Sequence, residues 1–284
     1  MVAESPSLNG VIKLIEGHMA FSYSDGGATP VPVGHSTGWR TMPWLLTTYM
    51  GGGRARLELD GAKTVEYGDG DACCVPPGMR HRISVIEGGV SWWSHVSLRV
   101  GGGLDLTEFI EPPLVLRGER AERIRSMNGA MADARRDSGV RMDALFRLNG
   151  LLFELASVLA AGAAIRPERA ALLEAGGRLR PVLQHIEAHL AEDLTRERLA
   201  DVASLSPSRF YAVFQRALGV GSNLYVQRRR MERAQQLLIT TALPVGEVGR
   251  ACGYDDQFLF SRTFKKLHGA SPAQYRRQVT AEYG

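Results

Sequence analysis

Cysteine is scarce in this chain of 284 residues: there are three, and two of them, Cys73 and Cys74, are adjacent. An odd, low count with neighbouring thiols excludes the paired framework that staples small secreted domains. Long apolar runs are also missing. The most apolar stretch, residues 142–165, is interrupted by Arg147, Asn149 and Glu154, so nothing approaches the ~18 uninterrupted apolar residues of a membrane span. The first twenty residues carry Glu4, Lys13 and Glu16 where a secretory signal would hold an apolar core. A soluble, cytoplasmic protein without membrane contact is expected. The low hydrophobicity of a disordered chain is absent too. With 44% hydrophobic and 23% charged positions, the chain reads as roughly two globular domains.

Charge is unevenly spread. Residues 178–284 hold 16 Lys+Arg against 10 Asp+Glu, whereas residues 1–177 hold 18 against 20. A basic C-terminal third beside a slightly acidic front fits a nucleic-acid-binding region attached to a different module.

Residues 30–100 read as β structure. Runs such as PWLLTTYM, RARLEL, RISVI and VSWWSHVSLR are separated by Gly51-Gly52-Gly53, Asp60-Gly61, Gly68-Asp69-Gly70 and Pro76-Pro77-Gly78. Six or more short strands at this spacing predict a small barrel or sandwich. The glycine triplets lack a following helix and a Gly-Lys-Ser/Thr ending, so they are read as hairpin turns and not as phosphate loops. After Pro112-Pro113 the period becomes helical: Ile124, Met127, Met131 and Ala134 share one face of a first helix. In a second, Leu145, Leu148, Leu152, Leu155 and Leu159 are spaced 3-4-3-4. That seam suits either a core helix on the barrel or a short coiled coil with a second subunit, and dimerisation is the preferred reading. The expected division is 1–117 β-barrel with an N-terminal arm, 118–162 helical pair, 163–178 linker and 179–284 helical domain.

The basic third contains one pattern twice. Leu199, Val202 and Ala203 mark an inner helix face, and Ser206 followed by Pro207 opens a second helix with a good cap. Phe210 and Phe214 anchor it, leaving Arg209, Tyr211, Ala212, Gln215 and Arg216 outside. The repeat places Val245, Val248 and Ala251 on an inner face, caps the next helix at Asp255-Asp256, and anchors it with Phe260 and Phe264. Gln257, Phe258, Ser261, Arg262 and Lys265 stay on or near the exposed side. A helix from about residue 222 to 239 joins the units and spans roughly 27 Å. Two helix-turn-helix units at that separation suit successive major-groove segments, roughly one 34 Å turn apart. Arg262 suits a guanine edge and Gln257 an adenine edge. Arg228, Arg229, Arg230, Lys266, Arg276 and Arg277 suit phosphates, which fix register without reading sequence.

The segment running from Leu-Pro-Val-x-Glu-Val through Cys-Gly-Tyr and Phe-x-Ser-Arg-x-Phe-Lys-Lys to Gly-x-Ser-Pro-x-x-Tyr-Arg-Arg resembles the C-terminal signature of the AraC/XylS family of bacterial transcription regulators. The resemblance implies base-reading positions at Gln257, Phe258, Leu259 and Arg262 in the second unit and at Ser208, Tyr211 and Ala212 in the first. Gly246 and Gly249 depart from the family's helix formers, each at a cost of about 1 kcal/mol, so that helix should lean on packing or on DNA for order. In the front domain, GDGDACCVPPGMRHR resembles the turn-strand-turn of the family's cupin-like sensor domains. VSWWSHVSLR resembles the strand that follows it in the arabinose-responsive regulators. The fold class implied is α+β multidomain: a small cupin-like β-barrel, a helical pair, then an all-α domain of two helix-turn-helix units joined by a long helix.

Strand alternation puts Trp93 and His95 on one face. An indole stacking on a sugar's C–H face, with imidazole and Arg40 hydrogen-bonding its hydroxyls, suits a sugar-like effector; Trp44, and Trp39 beside it, stand near the same strands. A metal-dependent cupin enzyme is the rival. His35, His81 and His95 lack the His-x-His and glutamate pattern, and Cys73 and Cys74 point to opposite strand faces, so no metal, cofactor or catalytic residue is expected. The expected function is sequence-specific binding of double-stranded promoter or operator DNA by a homodimer. Activation through RNA polymerase, controlled by a small metabolite, is what the family resemblance implies. A barrel that only dimerises or contacts protein is the alternative.

Overall fold

The computed structural model describes residues 19–61, 64–100, 103–137, 141–161, 163–166 and 170–283. Two compact units are present, one comprising Met19–Val100 with Leu104–Arg166, the other built on residues 167–284. The N-terminal arm expected in the first twenty residues lies outside the described residues, apart from the two that open the first strand. Among the described residues, no helix is long and apolar enough to cross a membrane.

The first unit holds two large antiparallel sheets and a further two-stranded one. One has the order β1 (Met19–Val31), β8 (Gly89–Val100), β3 (Leu45–Gly51), β6 (Ala72–Val75), β11 (Val115–Leu116), with β9 (Leu104–Asp105) added to β8. The other runs β2 (Arg40–Thr41), β7 (Arg80–Glu87), β4 (Arg54–Leu59), β5 (Thr64–Gly68). Alternation explains the second sheet: Ala55, Leu57 and Leu59 of β4 and Ile83 and Val85 of β7 are buried. Their outward neighbours pair across strands, Arg56 with Glu66 at 2.7 Å and Arg82 with Glu58 at 2.7 Å. An apolar cluster drawn from both sheets, including Leu46, Met50, Leu57 and Cys73, fills the space between them. The turn at Gly51-Gly52-Gly53 joins β3 to β4, and Gly52 sits at φ 71°, the left-handed region that favours glycine.

Strand β3 and the stretch of β8 from Ser94 to Leu98 are buried on both faces because helices cover the outer one. Helix α1 (Glu119–Asp137) packs Ile124, Met127 and Met131 inward. Helix α2 (Met142–Ala160) does the same with Leu148, Leu152, Leu155 and Leu159. Four of the five leucines expected at a dimer seam are therefore core residues of their own protomer; only Leu145 is exposed, at 43%. The repeat reads as a seam because a helix facing its own core and one facing a partner need the same period.

The segment expected as a linker is structured at both ends. Strand β12 (Ala164–Ile165) pairs with β10 (Ile110–Glu111), and helix α3 begins at Ala170 and runs to Ala188. The second unit continues with α4 (Arg196–Val202), α5 (Pro207–Leu218), α6 (Ser222–Thr240), α7 (Val245–Ala251), α8 (Gln257–His268) and α9 (Pro272–Tyr283).

Candidate nucleic-acid interface and effector cluster

Helices α5 and α8 are built alike. Each has twelve residues; Ser206 caps the first through the Arg209 N–H, and Asp256 caps the second through the N–H groups of Phe258 and Leu259. Each ends on a left-handed glycine, Gly219 or Gly269. Phe210 and Phe214 have ring centroids 5.3 Å apart, Phe260 and Phe264 5.9 Å apart, and all four are fully buried. With the Phe pairs turned inward, the opposite faces are left to solvent: Ser208, Tyr211 and Ala212 on α5, and Gln257, Phe258, Leu259 and Arg262 on α8. Phe258 is 79% exposed. A phenylalanine that open to water at the start of a helix contributes nothing to its own core and is suited to contact with something else.

Gly249 is explained by close approach: a Cβ there would lie 3.2 Å from the Phe260 ring, so glycine lets α7 sit against α8. At Gly246 a Cβ would meet Oε1 of Gln257 at 2.7 Å; that side chain lies back over α7.

The basic residues divide. Arg209, Arg216, Arg228, Lys265 and Lys266 are exposed. Arg229 does not face outward: it is 8% exposed, gives a bidentate pair of hydrogen bonds to Glu187 at 2.6 and 2.7 Å, and also bonds Glu232. Its expected phosphate role is corrected to that of a buried tie between α6 and α3. Arg230 donates to the carbonyls of Leu190 and Glu192, and Arg276 to those of Leu238 and Leu243. Both guanidinium groups satisfy carbonyls near the ends of neighbouring helices.

In the first unit, the inner sheet faces carry a polar cluster beside the apolar one. Arg40 pairs in register with His81 and donates from Nε to His81 Nε2 at 3.3 Å. His95 lies between two indoles, its ring 5.7 Å from that of Trp44 and 5.2 Å from that of Trp93. Trp93 donates from Nε1 to Thr29 at 3.0 Å. Burial, reinforced by the Arg40 charge, pushes His81 down to about 4 and His95 well below the usual imidazole range. Both imidazoles are therefore neutral at pH 7, each able to donate at one nitrogen and accept at the other. Burial raises the Tyr67 phenol well above its ordinary value, so that hydroxyl also stays neutral. The cluster brings together Arg40, Trp44, Trp93 and His95 as expected, and adds His81, Thr48 and Tyr67. Trp39 stands apart, at 37% exposure, with the guanidinium groups of Arg80 and Arg82 each 5.2 Å from its ring. Cys73 and Cys74 are buried and unpaired; among the described residues no group of three or more His, Cys, Asp or Glu is placed to hold a metal ion.

One polar residue of this unit was missed. Asn128 Oδ1 accepts from Thr47 at 2.9 Å and Ser94 at 2.8 Å, and its Nδ2 donates to the carbonyls of Thr47 and Trp92. An asparagine among Ile124, Met127 and Met131 on one helix face was the available signal, since a buried amide must find partners.

The helix-turn-helix domain family matches residues 199–278. The arabinose operon regulatory protein of Escherichia coli (strain K12) is 41% identical over 100 residues, 35% of this chain and 34% of that one. The MmsAB operon regulatory protein of Pseudomonas aeruginosa is 29% identical over 245 residues, 82% of this chain and 75% of that one. Relatives such as the arabinose regulator are spanned by this chain over only about a third of their length. Among solved structures, Vibrio cholerae ToxT with a bound unsaturated fatty acid superposes with a TM-score of 0.54 at 10% identity, covering 92% of this chain and 96% of that one, a likeness of fold alone. With the doubled scaffold of α4–α5 and α7–α8 and the domain match, residues 199–278 form a helix-turn-helix domain of the AraC type, similar to the domains of these operon regulators.

Proposed function

We propose that this protein is a sequence-specific DNA-binding regulator whose first unit, a cupin-like sensor, takes a small hydroxylated, sugar-like effector. The observation that carries the DNA reading is the outward face of α8, where Phe258, Leu259 and Arg262 are exposed on a helix capped and anchored from behind. Arg262 suits a guanine edge, Gln257 an adenine edge, and Phe258 and Leu259 thymine methyl groups. On α5, Ser208, Tyr211 and Ala212 form the corresponding face. Arg209, Arg216, Arg228, Lys265 and Lys266 supply phosphate contacts.

The effector reading rests on Arg40, His81, His95, Trp93 and Trp44. Neutral imidazoles, a charge-assisted donor and two indoles suit a ligand with several hydroxyl groups and an apolar face. A homodimer is part of the proposal, now through the exposed stripe of Met142, Leu145 and Phe146 on α2 and not through the buried leucines. Activation by contact with RNA polymerase belongs to the same reading.

Selection of duplexes from a randomised pool by the full chain tests the first claim: a shared motif is expected, and enrichment of none overturns it. All four tryptophans lie between residues 39 and 93, so their fluorescence reports on the first unit. A saturable change with one member of a sugar and metabolite panel, lost in Trp93→Phe and His95→Ala, is the expected result. Silence across the panel, with DNA binding intact, would favour a first unit that only dimerises or contacts protein. Sedimentation of Phe146→Asp should give a folded monomer.

A further inference from the structure

The α5 position that matches Arg262 on α8 is Ala212, so the first recognition helix lacks the guanidinium that the second presents. A guanidinium nevertheless stands beside it. Arg196, the first residue of α4, lies with its Cζ 5.2 Å from the centre of the Tyr211 ring, one residue from Ala212. Neighbouring arginines are committed within the protein: Arg198 to Glu192 and the Asp193 carbonyl, Arg230 to the carbonyls of Leu190 and Glu192. Among the described residues Arg196 makes no ion pair, and its ring contact is with a tyrosine that is 42% exposed. Arg196 also stands at a cavity of about 600 Å³ lined by Asn223, Gln227 and Arg230 of α6 and by Tyr254.

We propose that Arg196, laid on Tyr211, is a phosphate-binding arm of the first helix-turn-helix unit that holds the DNA backbone beside α5, an inference that rests on the DNA-binding reading above. A guanidinium lying on a ring keeps its N–H edge free for two phosphate oxygens, and stacking lowers the entropy lost on forming those bonds. Asp193 and Glu197 line the same cavity and disfavour a free anion settling inside it. The phosphate engaged is one carried by the duplex itself. The contact fixes the register of α5 without reading sequence, which compensates for the short Ala212.

The test uses the full chain and a fluorescent duplex that it selects from a randomised pool, with affinity followed between ~50 and ~200 mM salt. Arg196→Ala should weaken binding several-fold, equally on every sequence variant of the duplex, and lower the slope of log affinity against log salt by about one. Arg196→Lys should restore the slope. Tyr211→Ala combined with Arg196→Ala should cost less than the two losses summed. Far-ultraviolet dichroism and thermal melting confirm that each variant folds. An unchanged slope in folded Arg196→Ala overturns the proposal while the DNA-binding reading stands. A loss confined to one base pair also overturns it, by making Arg196 a base reader. If the unmodified chain selects no duplex, both readings fall together.

Discussion

The two helix-turn-helix units share one scaffold and present different surfaces. Matched from cap to cap, Phe210 and Phe214 fall on Phe260 and Phe264, and Gly219 on Gly269, whereas Ser208 falls on Phe258, Ala212 on Arg262 and Leu218 on His268. What holds the helices in place recurs; what they show to solvent does not. Packing against a core admits few solutions, since volume and rotamer must both fit, while an exposed face is free to take up whatever its target requires. The turns differ as well. The left-handed residue after α7 is Gly253, at φ 78°, and after α4 the equivalent is Ser204, at φ 52°.

Four changes would break or sharpen that comparison. The largest effect should come from Phe264→Ala, which empties a fully buried site and should cost about 3–5 kcal/mol; Phe214→Ala should cost a similar amount, and a large inequality in thermal or urea unfolding would show that the scaffolds are not equivalent. Arg262→Ala should weaken specific DNA binding by about 1–3 kcal/mol and relax one base position. Ser208→Ala should do less, and the reverse order in a binding-selection experiment would make α5 the dominant reader.

The third difference is in pH response. Burial pushes His268 from 6.5 down to about 4, and neither of its ring nitrogens finds a hydrogen-bond partner among the described residues. As pH falls from 6.5 towards 4 the unfolded chain takes up a proton that the folded imidazole refuses. Stability is therefore complete above 6.5 and is lost across that window. Region-resolved hydrogen exchange should show α8 and α9 losing protection before α5, and His268→Leu, which copies Leu218, should abolish the difference. His81 and His95 impose the same direction on the first unit. The smallest effect is Ser204→Gly, expected to stabilise the first helix-turn-helix unit by up to about 1 kcal/mol by removing the side chain from a left-handed conformation. A destabilised variant in urea unfolding would mean that the Ser204 side chain is itself needed there.

Much of the C-terminal unit was legible because its signals are local. Ser206-Pro207, the two Phe pairs and the terminal glycines each act within one helix or turn, so their spacing carries the structure. The front unit was legible in its alternation and turns, which placed Trp93 and His95 together on one strand face. Less could be read of what joins the elements. Asn128 finds Thr47 and Ser94 from 81 and 34 residues away, and no spacing rule announces such a bond.

The sequence by itself determined the doubled helix-turn-helix pattern, its caps and its anchoring phenylalanines, since these follow from the helical period and from the chemistry of helix ends. Only the tertiary structure decided where each arginine and leucine is spent. Arg228, Arg229 and Arg230 look like one basic patch, yet successive residues on a helix point about 100° apart, so one meets solvent, one a glutamate 42 residues away and one the carbonyls at the end of another helix. The leucines of α2 obey a period that serves a partner or a core equally well. Which of the two they face depends on what the rest of the chain brings alongside, and here it brings the outer face of a β-sheet and α1.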